Sequence, residues 1–214
     1  PWGSNTPGVV KIDDVPWRKD KSGRLNRGYY DALERAVKAA DEQGITVGVC
    51  LFEGAIVPYF PKGGNSWRLH PFNGMKDGPK EPWQVHSRGP WNKHQRAHVK
   101  EVTLRLEKYN NVIYEVGNEL NRESIKWFQG KVIEWVKEFT DKPVGASYAT
   151  GMKPSKGRTQ DWLTKIDADW IAPSGPAKLP GFKGPQILDT DHAWPLRSNV
   201  TGLQNAWDDG RSIW

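Results

Sequence analysis

Asn111-Val112-Ile113-Tyr114-Glu115-Val116-Gly117-Asn118-Glu119-Leu120-Asn121 is the stretch on which the reading of the whole chain turns. Val112, Ile113, Tyr114 and Val116 are β-branched or aromatic, and the run breaks at Gly117 before an Asn118-Glu119 pair. Helical patterns stand on either side of it. A strand between two helices with a carboxylate at its C-terminal tip is the repeating unit of an α/β barrel, and chemistry in such sheets sits at that end of the strands. Glu119 is therefore the first candidate for a working residue.

The 214 residues can bury one sizeable core, and one domain spanning 1–214 is expected. The 22 Gly and 16 Pro imply much loop, so loops should carry much of the function. Twelve tryptophans exceed ordinary usage. Trp2, Trp17, Trp67, Trp83, Trp91 and Trp194 stand beside Gly, Pro, Ser or Asn rather than in periodic segments, where flat amphipathic rings suit stacking against sugar rings or nucleobases. The charge of +6 is spread along the chain without long basic runs, which argues for a solvated surface and against a nucleic-acid partner. Cys50 is alone, so no internal disulfide framework exists, and its apolar surroundings in the sequence suggest a buried thiol. No run of 18 or so apolar residues suggests a membrane span.

Residues 1–26 are loop-like around one short extended piece, Val9 to Ile12. From Asn26, a residue suited to capping, Tyr30, Leu33, Val37 and Ala40 fall at helical spacing, and Gly44 is placed as the C-terminal cap. Ile45 to Phe52 is nearly all apolar, the pattern of a buried parallel strand. Between Glu53 and Asn92 there is no periodicity, and a connection of that length in one domain is usually functional. A helix over Lys93 to Tyr109 leads into the opening strand, and another over Ser124 to Thr140 leaves it. Strands at Val144 to Ser147, Trp170 to Ala172 and Gln186 to Asp189 follow, with a weak helix from Gln160 to Ile166 and a last helical piece over Val200 to Asp208.

Alternating strands and helices predict an α/β fold with a parallel sheet. No Gly-rich phosphate loop follows any strand, which favours a (β/α) TIM-type barrel over a doubly wound sheet. Five strands are readable, whereas a full barrel usually needs about 250 residues. Either the strands are fewer or shorter than the pattern suggests, or this is an incomplete barrel lacking its first strands and its last.

Two carboxylates on different strands facing one cleft are the minimal apparatus of glycoside hydrolysis, one protonating the leaving oxygen and one acting at the anomeric carbon or on water. Glu119 supplies one. Asp189 and Asp191 share a face by strand alternation, and Asp191, further into the tip, is preferred as the second. His192 beside them is placed to orient a carboxylate or to hold a sugar hydroxyl, although a lone strand-end histidine usually does no more than hydrogen-bond its neighbours. Glu115, four residues below Glu119, reads as structural, and Glu53 at the end of its strand is a reserve carboxylate. The Asp-x-Asp-His cluster lacks the partners a hydrolytic metal needs, so neither metal nor other cofactor is expected.

Val112 to Glu119, followed by a helix, resembles the fourth strand of the clan A glycoside hydrolases, whose Asn-Glu pair there carries a substrate-binding Asn and the acid/base Glu. The resemblance implies that Asn118 contacts the sugar beside the bond being cut and that Glu119 is the acid/base. The strand Gly44 to Glu53, the segment His70-Pro71-Phe72-Asn73-Gly74 and the segment Asp189-Thr190-Asp191-His192-Ala193-Trp194 are similar to a cellulase-like branch of such barrels. The similarity runs from Gly28 to Trp194. Members of the clan carry a nucleophilic Glu on the seventh strand, and no Glu follows Glu138 in this chain. Asp191 or Asp189 must stand in, or the protein is not a retaining hydrolase; the shorter Asp widens the pair from about 5 to 5.5 Å toward the inverting range of about 6.5 to 9.5 Å.

The expectation is a glycoside hydrolase acting on a polysaccharide or oligosaccharide, with Glu119, Asp191 and Asp189 in catalysis. Asn118, His192, His70, Asn73, Trp67, Trp91 and Trp194 are the expected sugar contacts. The alternative is a carbohydrate-binding barrel that has lost hydrolysis.

Overall fold

The computed structural model describes residues 15–54, 67, 70–118, 120, 125–148, 160–173, 179–188 and 212–213. Helix α1 (Arg27–Asp41) buries Tyr30 and Val37 on one stripe. It ends as the sequence predicts: Gly44 takes φ +68°, its N–H donates to the Asp41 carbonyl at 2.9 Å, and the Ile45 N–H donates to the Ala40 carbonyl at 2.9 Å. That reciprocal closure caps the helix and keeps Ile45 out of the following strand. Asn26 occupies the N-cap position but its side chain does not cap; its Nδ2 donates instead to the Val15 carbonyl at 3.1 Å, tying down the preceding segment.

Strand β1 (Val47–Glu53) pairs in parallel with β2 (Val112–Asn118), β2 with β3 (Val144–Ser147), and β3 with β4 (Trp170–Ala172). The sheet order is that of the chain. A parallel bridge between Ile171 and Gln186 carries the same order to β5 (Ile187–Leu188), which pairs with β6 (Ser212–Ile213). A doubly wound sheet reverses its strand order at a switch point, and this succession does not, as a barrel requires. β6 has no counterpart in the sequence reading, because two residues show no periodicity. Helices α2 (Asn92–Leu106) and α3 (Ile125–Phe139) stand in the first two crossovers, and the third holds a short 3-10 helix, Asp161–Lys165. Val9 to Ile12 and Val200 to Asp208 lie outside the described residues.

The two faces of the sheet differ. Val112, Tyr114 and Val116 alternate toward the helices and share one core with Val99, Val102, Leu106, Phe128, Val132 and Val136. The opposite face carries a smaller cluster of Trp170, Ala172 and Ile187 with the partly buried Ile113. A Cβ on Gly145 would lie 2.0 Å from the Trp170 ring, so only glycine lets that indole cross the strand. Cys50 is on this second face and is exposed rather than buried, because apolar composition alone does not tell a two-sided strand from one whose second face is open. Its sulfur is nevertheless enclosed locally: the thiol donates to the Phe52 carbonyl at 3.2 Å, and desolvation and the Glu115 carboxylate push its pKa up.

α1 is fastened to α2 by Arg105, whose guanidinium reaches Asp31 at 2.5 Å, Glu101 at 2.9 Å and Glu34 at 3.2 Å. This network joins the two helices through side chains of α1 and α2 alone.

Candidate active site

The C-terminal tips of β1 and β2 are held in register. Glu53 faces Asn118, the Gly54 N–H donates to the Asn118 carbonyl at 2.8 Å, and the Asn118 Nδ2 donates to the Glu53 carboxylate at 3.2 Å. Gly117 is required just before the pair: a Cβ there would lie 2.8 Å from the Phe52 carbonyl oxygen and 2.7 Å from the Leu120 side chain. On the other flank the Ser147 hydroxyl donates to the Gly117 carbonyl at 2.9 Å. Gln129, fully buried on α3, brackets Ser147 by donating to its carbonyl at 2.7 Å and accepting from its N–H at 3.1 Å. The strand is thus clamped from both sides at the level of Gly117 and Asn118.

A chain of rings joins this rim to the long β1–α2 connection. Phe52 packs edge-on to Phe128 at 5.1 Å, Phe128 meets His86 at 4.8 Å, and His70 stands between Trp67 and Phe72 at 5.3 Å from each. The Phe72 N–H donates to His70 Nδ1 at 3.1 Å, which leaves the ring proton on Nε2. Burial holds His70 down to about 4, and burial together with His70 holds His86 down to about 3, so both are neutral donors near pH 7.

Asn73 turns its Nδ2 to the Trp67 carbonyl at 3.0 Å, closing the 67–73 loop. Trp91 differs from what a sugar platform needs. It is 8% exposed, its indole N–H donates to the Val85 carbonyl at 3.2 Å, and its ring covers Gly89. Its position before α2 gave the sequence no sign of this, because the pocket that receives it is built by the connection itself. Trp67 is half-buried and Trp83 is 48% exposed. Glu119, Asp189, Asp191, His192 and Trp194 lie outside the described residues. Among the described residues no group of three His, Cys, Asp or Glu side chains is arranged to hold a metal, and no helix is long and apolar enough to cross a membrane.

One buried polar unit is not visible in the sequence. His98, 1% exposed on α2, donates from Nε2 to the Leu51 carbonyl at 3.0 Å, and its Nδ1 meets the Tyr30 hydroxyl at 2.9 Å. Burial lowers its pKa to about 4, against an ordinary value of 6.5. Between these values the unfolded chain binds a proton that the folded chain refuses, so the stabilisation is complete above pH 6.5 and is lost as the pH falls toward 4. At pH 5 the loss from His98 is about 2 kcal/mol, with His70 and His86 acting in the same direction. Urea unfolding at pH 7 and pH 5 is expected to show this drop and a smaller one in His98→Gln; equal pH dependence in the two proteins would contradict it.

Comparison with solved structures bears on this arrangement. Two structures of the catalytic domain of Thermobifida fusca endoglucanase Cel5A, one in complex with cellotetraose, superpose with a TM-score of 0.55. Sequence identity is 15% and 14%, and the alignments cover 88% of this chain. The fold is the (β/α) barrel type of those domains. The chain spans 62% of the length of those domains, in keeping with an incomplete barrel. No sequence-family model and no curated protein matches the chain. Within the barrel, the tips of β1 and β2 with Glu53 and Asn118 lie at the end where barrels of this architecture place their chemistry.

Proposed function

We propose that the protein is a glycoside hydrolase that cleaves O-glycosidic bonds in a polysaccharide or oligosaccharide by a two-carboxylate mechanism. The observation that carries the reading is Asn118, fixed at the C-terminal tip of β2 beside the Glu53 carboxylate at 3.2 Å, in a barrel whose fold is shared with an endoglucanase. In this reading Glu119 protonates the leaving oxygen, and Asp191 or Asp189 acts as nucleophile or as the base that activates water. Asn118 holds a sugar hydroxyl next to the scissile bond. His70 offers its Nε2–H at the rim, with Trp67 beside it, and His192 and Trp194 complete the sugar contacts. Trp91 is left to a structural role.

Cello-oligosaccharides and soluble β-glucans are the first substrates to test, with reducing ends as the readout. The wild-type chain is expected to release product, and Asn118→Ala to lower kcat/KM by roughly tenfold through loss of one hydrogen bond. Absence of release from every glycan in a broad panel, by folded protein, would overturn the reading.

A second reading is favoured by the lack of any Glu beyond Glu138. It is a carbohydrate-binding barrel without hydrolysis. Binding on a glycan array with no product, unchanged in Glu119→Gln, would select it.

A further inference from the structure

Glu53 and Asn118 meet because the β1–β2 register places them side by side, with the Gly54 N–H donating to the Asn118 carbonyl at 2.8 Å just beyond. The backbone ladder therefore sets their separation. A carboxamide has one donating edge and one accepting edge, whereas a carboxylate only accepts. Contact between the Asn118 amide and the Glu53 Oε2 at 3.2 Å is consequently possible in one amide orientation, with Nδ2 toward Glu53 and Oδ1 on the opposite edge. A neutral residue at position 53 with both a donor and an acceptor would permit either orientation. The charged acceptor also makes the bond stronger than a neutral pair, although Glu53 is exposed and water competes for it.

We propose that Glu53 is the positioning residue of the site, locking the Asn118 carboxamide so that it presents its carbonyl oxygen to a sugar hydroxyl. The identity of the ligand as a sugar rests on the hydrolase reading above; the orientation of the amide does not. The Asn118 oxygen then accepts from a ligand hydroxyl, and Glu53 acts by orienting Asn118.

The side-chain amide resonances of Asn118 in the full chain, assigned by their disappearance in Asn118→Asp, report the contact without any substrate. Glu53→Ala is expected to shift both amide protons toward the positions of a solvated asparagine, and Glu53→Gln, which keeps a neutral acceptor, to shift them less. With an active glycan, Glu53→Ala should lower kcat/KM roughly tenfold, with partial recovery in Glu53→Gln. Amide resonances that do not move in Glu53→Ala overturn the proposal whatever the activity. If they move but the wild-type chain hydrolyses no glycan, the positioning contact stands and the hydrolase reading fails. If the wild-type chain hydrolyses glycan and kcat/KM is unchanged in Glu53→Ala, the positioning role fails and the hydrolase reading stands.

Discussion

Replacing Glu119 by Gln is expected to lower kcat on a natural glycan by about two to four orders of magnitude, the range that a positioned proton donor contributes. The substitution keeps the shape and the hydrogen-bonding capacity of the side chain and removes only the transferable proton, so thermal unfolding should hardly change. The defect should depend on the leaving group. An aryl glycoside whose phenol is acidic departs as the anion without help, and on such a substrate the variant should retain far more of the wild-type rate than on a sugar leaving group. Loss of the second carboxylate, tested as Asp191→Asn and Asp189→Asn, is expected to cost a comparable factor without that leaving-group dependence. Equal turnover by Glu119→Gln and wild type on a sugar leaving group would remove Glu119 from the chemistry.

Phe128→Ala is expected to destabilise the protein by about 3 to 5 kcal/mol, measured by urea unfolding at pH 7. Phe128 is fully buried, and its ring meets Phe52 at 5.1 Å and His86 at 4.8 Å. Deleting it therefore empties a site shared by three elements, α3, the tip of β1 and the β1–α2 connection. Neighbours drawn from three separate segments cannot close the cavity together without giving up their own contacts, which places the cost toward the upper part of that range. Set against a usual total of about 5 to 15 kcal/mol, this is a large share of the stability. A loss below about 1 kcal/mol would mean that the ring chain does not bind the connection to the sheet.

Several elements were legible because their cause is local. The apolar spacing of α1, its Gly44 closure, and the strands at 112–118, 144–147 and 170–172 all follow from propensity and period over a few residues. Local pattern is silent where a distant segment decides. Asn26 is a good capping residue by type, yet its amide is drawn to the Val15 carbonyl. Trp91 has the flanks of a surface aromatic, yet the Val85 carbonyl and Gly89 receive it inside. Gln129 and Ser147 form a buried pair that no helical or strand period marks, since each is polar in a position the pattern would assign to apolar residues. Cys50 lies in an apolar run but on the open face of the sheet.

What the sequence determined by itself is the order of the main elements and the delivery of Asn118 to the end of a strand, because a β-branched run broken by glycine needs no partner to be read. Only the tertiary structure decided that successive strands stay adjacent without reversal, which separates a barrel from a doubly wound sheet, and that Glu53 stands beside Asn118. Both depend on inter-strand pairing, and pairing is set by hydrogen bonds between segments distant in the chain, such as those of Glu53 and Asn118.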